Sequence, residues 1–342
     1  MKKLGIGIYG IGWVAGAHIT ALLQNSNVEI VALGSRKRES AQQAKDTHKL
    51  ANCTVVNSFE EMLKLKDVDI IDICTPNKLH AEEAIAAARA GKHLVIEKPA
   101  IMNFKELKSL RDEIRKAGVK SQTCFECRFN PYVQGLRSMV DNGGLGKLFY
   151  MEVDYYHEIG AWWHGYSDWG VNKIANGPST SLVGACHAID MLTYFGGDVD
   201  EVFAYGCWGH RKDYEYAPTI AALVKFKDGM IGKTGGSYEI ESPYLFNMLL
   251  HGSKGSVTNE KFYTKAWFAG QTHWQTFNTV FLDTADVAHH PFKGMFDEFI
   301  DCVMNNKVNL VNIDQSYRSH ELCLAIDRSI ATGKPVKLPL TE

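Results

Sequence analysis

The chain has 342 residues, 45% of them hydrophobic, and 37 Lys and Arg against 39 Asp and Glu give a net charge of −2. That length predicts two domains rather than one, and without a long block of one charge sign nothing points to nucleic acid or a membrane surface as partner, which leaves small molecules. No uncharged apolar stretch reaches the roughly 18 residues that span a bilayer, and the start MKKLGIGIYGIG has no cleavage-site pattern.

The expectation is a cytoplasmic protein, and the eight cysteines agree with it, since most sit inside apolar runs as reduced, buried thiols do. Cys124 and Cys127 form a lone C-x-x-C, which without a second pair reads as packing before zinc or redox use.

In chain order, short β-rich runs alternate with helical ones: KLGIGIYG, Val14 to Leu23, VEIVALGS, Glu39 to His48, CTVV, Phe59 to Leu65, DIIDICT, His80 to Ala90, HLVIEK, Phe104 to Lys116 and VKSQTCF. Continuous apolar strands separated by amphipathic helices indicate a parallel sheet covered on both faces. The prediction is an α/β fold whose residues 1–125 form a Rossmann-like, doubly wound dinucleotide-binding domain.

Beyond Asn130-Pro131 and a helix ending at DNGGLGK, the strands become alternating and aromatic, with Asp228-Gly229 and Ser253-Lys254-Gly255 as hairpin turns. Residues 126–342 are predicted to form an α+β domain with a largely antiparallel sheet, serving substrate binding and oligomerisation. Two helices close it, one from about Pro291 to Asn305 and one from about Asp314, as N-cap, to Thr332, with Gly333 past the end.

Three motifs follow strands of the first domain. In G-I-G-W-V-A, Gly10, Ile11, Gly12 and Trp13 are candidate cofactor-binding residues: Gly10 permits the tight turn, Gly12 lets backbone amides approach a pyrophosphate, and Ala15 allows close helix packing. After the second strand, Ser35, Arg36 and Lys37 stand where an acid would hold the ribose of NAD. A hydroxyl followed by basic residues suits a 2′-phosphate and favours NADP, against a solvated basic helix start.

In C-T-P-N-K-L-H, Thr75, Pro76, Asn77 and His80 lie at a strand's carboxyl end, where open α/β sheets bind ligands; the alternative is a plain helix start capped by Asn77. In E-K-P, Glu97 and Lys98 end an apolar strand before Pro99, and a lysine there can stabilise an alkoxide or lower the pKa of a substrate hydroxyl.

These motifs, with the later H-A-I-D, resemble in order and spacing the Gfo/Idh/MocA family, the glucose-fructose oxidoreductase and inositol dehydrogenase type, and the similarity extends to the final RSIATGKPVKL. The resemblance implies an open-faced sheet in the second domain, hydride transfer between NAD or NADP and a carbohydrate or polyol carbon, and Lys98 as the catalytic lysine. Glu126 to Pro131 are similar to the family's R-F-x-P segment, where Arg128 either touches substrate or cofactor or forms a structural salt bridge.

Many members of the family carry D-x-G-x-H-x-x-D where this chain has Val183, Ala185, His187 and Asp190. The first acid is missing. Lys98 and His187 are left as the proton-handling pair, since oxidising a hydroxyl requires a proton to leave with the hydride. Asp190 is a candidate for substrate or for orienting His187, though satisfying nearby backbone is the plainer reading.

Trp162, Trp163 and His164, in the aromatic stretch from Asp154 to Trp169, and Lys173 after it are further substrate-binding candidates, against packing on the sheet or at a subunit interface. The histidine spacings match no compact metal-ligand motif, so no metal is expected.

The reading is an NAD(P)-dependent dehydrogenase of a sugar, glycoside or polyol, as a homodimer or tetramer. A first alternative is a glycoside-cleaving enzyme that oxidises transiently, eliminates and recycles its cofactor. A second is a non-enzymatic dinucleotide-dependent sensor.

Overall fold

The computed structural model describes residues 3–159, 179–279 and 290–341. The chain divides into two compact units: Met1–Glu126 with His290–Tyr317, and Cys127–His289 with Arg318–Glu342. A boundary drawn once along the chain at 125/126 does not anticipate that residues 290–317 return to the first unit.

The first unit contains β1 (Leu4–Tyr9), α1 (Ala15–Leu22), β2 (Val28–Gly34), α2 (Arg38–Thr47), β3 (Thr54–Val56), α3 (Phe59–Lys64), β4 (Ile70–Ile73), α4 (Asn77–Arg89), β5 (His93–Ile96), α5 (Phe104–Ala117) and β6 (Ser121–Thr123). The strands form a six-stranded sheet in the order β3-β2-β1-β4-β5-β6, and every pairing is parallel. The apolar strand runs are buried on both faces, which is why they lack alternation.

Helix boundaries follow local chemistry. Ser58 accepts from the Glu61 N–H to open α3, Asn103 accepts from the Glu106 N–H to open α5, and Gly118 in the left-handed region ends α5.

Register places the functional loops along one edge. Tyr9 stands opposite Gly34 and Ile73, Ile73 opposite Ile96, and Ile96 opposite Thr123. The segments after β2, β1, β4, β5 and β6 therefore leave side by side at the carboxyl end of the sheet, around the point between β1 and β4 where strand order reverses.

The second unit contains α6 (Pro131–Asp141), β7 (Leu148–Tyr156), α7 (Thr180–Val183), α8 (Cys186–Gly196), β8 (Val199–Cys207), β9 (Thr219–Phe226), β10 (Ile231–Ser237), β11 (Leu245–Gly252), β12 (Gly255–Thr258), β13 (Lys261–Thr264), β14 (Gln275–Thr276) and β15 (Val336–Lys337). These strands form a nine-stranded sheet, β14-β13-β12-β11-β7-β10-β9-β8-β15. It is antiparallel except between β7 and β10.

Alternation decides its two faces. Along β9, Ile220, Ala222, Val224 and Phe226 are buried, while Ala221, Leu223 and Lys225 are exposed. The buried face meets α8, where a side chain at Gly232 would touch Leu192 and one at Gly196 would overlap Phe226 and Met230. The opposite face shows Phe149, Tyr205, Leu223 and Ile231.

Of the closing helices, α9 (Phe292–Met304) belongs to the first unit, and α10 (Ile313–Thr332) begins there and continues into the second. Asn312, not Asp314, caps α10, its side-chain oxygen accepting from the N–H groups of Asp314 and Gln315. Gly333 adopts φ +64° just past the end.

Candidate active site

In the loop between β1 and α1, Gly10 has φ +98°, and a Cβ there would lie 2.5 Å from the backbone of Cys74 and Thr75. Only glycine lets these adjacent loops touch. A Cβ at Gly12 would meet nothing within 4 Å, and α1 opens without a side-chain cap or an acid in its first turn. Open space over bare helix amides is what a pyrophosphate requires, so the residues present fit a dinucleotide.

Ile11 is half-buried and Trp13 exposed in this loop. After β2, Ser35 is half-buried, Arg36 and Lys37 are exposed, and Arg38 bonds the Val55 carbonyl and Asn57.

After β4, Thr75 donates its hydroxyl proton to Glu83 at 2.5 Å. Burial pushes the Glu83 carboxyl up to about 7, against the lowering effect of that hydrogen bond. Pro76 occupies the N-cap position of α4, so Asn77 is not its cap. Asn77 is buried, and its Nδ2 has no hydrogen-bond partner among the described residues. A buried, orphaned amide donor at the switch point is a second feature that fits a bound cofactor.

Two residues expected at the cofactor, His80 and Glu97, direct their side chains to internal partners. His80 is buried, with Nε2 2.6 Å from the Thr75 carbonyl and Nδ1 2.7 Å from the Pro99 carbonyl. Burial holds its pKa down, so the neutral ring braces the loop after β4 against the one after β5. Glu97 turns inward, where Oε2 accepts the Lys98 N–H at 3.0 Å and Oε1 lies 3.3 Å from His18 Nε2. Lys98 itself is half-buried at the end of β5, and the charges of Lys98 and His18 help hold the Glu97 carboxyl below its usual range despite burial.

In the second unit, the run Thr180 to Leu192 forms two helices rather than one. It breaks at Gly184–Ala185, where a side chain would strike the rings of Tyr155 and Tyr238. Val183 and His187 flank the break, both buried. The His187 ring lies 6.4 Å from the Tyr155 ring at a 31° tilt. The Tyr155 hydroxyl is 3.1 Å from His157 Nδ1, and Tyr244 packs edge-on against both rings.

Tyr155, His157 and Tyr244 were not among the expected site residues. Their signal was the aromatic density around Tyr155 and Tyr156, which sequence alone could not separate from sheet packing.

Of the readings left open for Arg128 and Asp190, the structure shows a salt bridge between the two. Arg128 Nε and Nη2 donate to the two Asp190 oxygens at 2.8 and 2.7 Å, and the Ser319 hydroxyl adds a bond at 2.6 Å. Both side chains are at most 1% exposed. Burial makes this bidentate pair a structural requirement, because either charge left alone inside would be costly. Trp162, Trp163, His164 and Lys173 lie outside the described residues.

Comparison with known proteins agrees with this geometry. Residues 4–125 match the model of an oxidoreductase family described as an NAD-binding Rossmann fold, and residues 137–338 match that family's C-terminal alpha/beta domain. The chain is 25% identical to D-glucoside 3-dehydrogenase of Escherichia coli over 98% of each protein. It is 26% identical to myo-inositol 2-dehydrogenase of Thermotoga maritima over 74% of each. Its fold is similar to levoglucosan dehydrogenase solved with NADH and levoglucosan, with a TM-score of 0.88 and 20% identity over 99% of this chain and 100% of that one.

Proposed function

We propose, from the premise that this chain belongs to the Gfo/Idh/MocA oxidoreductase family, that it moves a hydride between a nicotinamide dinucleotide and a hydroxyl-bearing carbon of a sugar, glycoside or polyol. The observation that carries the reading is the shared carboxyl edge of the first sheet. There the Gly10 loop, the orphaned Asn77 amide and the half-buried Lys98 follow neighbouring strands.

The bound nicotinamide supplies the hydride acceptor. The Gly10–Trp13 loop and the start of α1 hold the pyrophosphate, Thr75 to Asn77 line the cofactor, and Ser35, Arg36 and Lys37 receive a ribose phosphate, which favours NADP. Lys98 removes the hydroxyl proton and stabilises the alkoxide. His187 is the second proton-handling group, and Tyr155, His157 and Tyr244 supply polar edges and aromatic faces suited to a sugar ring.

Val183 is buried where many members of the family carry an acid, and it accepts no hydrogen bond. This favours a second reading in which the oxidised sugar eliminates and the cofactor is recycled. The apolar outer face around Leu223 and Ile231 supports a homodimer that buries it. All eight cysteines are free thiols, which suits the reducing cytoplasm.

Calorimetric titration with NAD and NADP, followed by turnover on a panel of sugars, glycosides and polyols, tests the reading. Net nicotinamide reduction supports the dehydrogenase, and cleavage without net reduction supports elimination. Cofactor binding with no chemistry on any of the panel would overturn both.

A further inference from the structure

Asp72 is a carboxylate inside the otherwise apolar strand β4, and both it and His18, in the first turn of α1, are fully buried. An isolated buried charge is unfavourable, so each needs a partner. Asp72 Oδ2 lies 2.9 Å from His18 Nδ1. On the other side of the ring, Nε2 approaches Glu97 Oε1 at 3.3 Å, an ion pair off the line of a good hydrogen bond. Glu97 in turn accepts the backbone N–H of Lys98 at 3.0 Å.

The rings of Phe292 and Phe296 stand edge-on to the imidazole at 4.5 and 5.1 Å and fix its plane. With a carboxylate at each nitrogen, the ring satisfies both only as an imidazolium. Burial, the largest single effect, pulls its pKa down, but the charge and hydrogen bond of Asp72 together with the Cys74 side chain raise it well above the ordinary value. The Cys74 thiol, pushed up to about 12 by burial, stays protonated at 3.4 Å from Nδ1.

The side chains of His18, Asp72, Cys74, Glu97 and Cys124 have donor types that can hold a metal. Burial raises the pKa of the Cys74 and Cys124 thiols, and protonated thiols are poor ligands.

We propose that His18 is a positioning residue for hydride transfer: the buried chain Asp72–His18–Glu97 fixes the Lys98 backbone and sets the charge beside its ammonium group. The proposal rests on the reading of Lys98 as the proton-handling residue. The carboxylates of Asp72 and Glu97, with the buried Glu126 acting on Glu97 and itself 3.0 Å from His290 Nδ1, face the cations His18 and Lys98 in this cluster. Removing the His18 charge leaves an excess negative charge near Lys98, which favours its ammonium form and delays loss of its proton to higher pH.

Two measurements test this. In the intact protein with 15N-labelled histidine, the His18 ring, assigned by its proximity to Phe292 and Phe296, should carry protons on both nitrogens at pH 8, with and without bound NAD. A neutral ring at pH 8 overturns the proposal.

In turnover of methyl glucoside, His18→Gln retains a donor toward Glu97 without the charge. It should lower kcat about tenfold, leave the NAD KM within about twofold, and move the rise of the oxidation profile up by about one pH unit. A lower melting temperature with an unmoved pH profile would show a packing role and overturn it. If His18→Gln does not fold, the nitrogen spectrum decides. Unchanged turnover in Lys98→Met would refute the role of Lys98 while leaving the protonation state of His18 measurable, so the two failures are distinguishable.

Discussion

The helix after the glycine loop in the first unit and the broken helix α7–α8 in the second each carry a buried histidine, and their surroundings differ. His18 has a carboxylate at either nitrogen and two phenylalanine rings at its edges. His187 faces the Tyr155 ring, and Asp190, three residues on, is committed to Arg128 and Ser319. The same side chain is thus a fixed charge in one unit and a candidate proton-transfer group in the other. His18 is held by direct contact with Asp72 and Glu97, whereas the His187 ring packs on an aromatic face.

The largest effect that would test this contrast is removal of the second unit's own buried charge pair. Arg128→Met leaves the Asp190 carboxylate unpaired and should cost about 3–5 kcal/mol of stability, seen as a large drop in melting temperature. A loss below about 1 kcal/mol would show that the pair is dispensable and free for substrate.

In the first unit the glycine loop offers a sharper comparison. Gly10→Ala forces a methyl into the Cys74–Thr75 backbone at a positive φ and should both destabilise the fold and abolish tight cofactor binding. Gly12→Ala has room and should leave the melting temperature unchanged, yet weaken NAD(P) binding about tenfold or more by occupying the pyrophosphate's approach. Calorimetry on both variants separates a structural glycine from a ligand-facing one.

A smaller, pH-dependent effect comes from Glu83, whose carboxyl is raised to about 7 by burial. Between its ordinary value and about pH 7 the folded chain holds a proton that the unfolded chain has lost, so this group's contribution to stability falls as pH rises through that window. Glu83→Gln should therefore raise the melting temperature more at pH 8 than at pH 5. The smallest effect on folding is expected from Leu223→Asp on the exposed face, which should leave thermal stability nearly intact and, in sedimentation, shift the proposed dimer to monomers.

The first unit was largely legible in the sequence because parallel strands read as apolar runs and because Gly10, Asn77 and Lys98 each follow one. DIIDIC carries a signal for His18: an acid inside a buried strand must find a partner, and a histidine stands early in α1, the helix that follows the neighbouring strand β1. The return of residues 290–317 was not legible, since helices α9 and α10 read alike whichever unit they cover.

In the second unit the alternation of TIAALVKF announced a half-exposed strand, and β9 shows that alternation. The fate of Arg128 and Asp190 was open in sequence, because a charge pair 62 positions apart leaves no local pattern.

Hydride transfer by this chain is expected to depend on Lys98. The direct measurement uses a glycoside carrying deuterium on the reacting carbon, incubated with cofactor and either the intact protein or Lys98→Met. Deuterium should appear in the reduced nicotinamide with the intact protein, and the rate should fall by at least about a thousandfold in Lys98→Met with cofactor binding retained. Equal deuterium transfer by both proteins would contradict it.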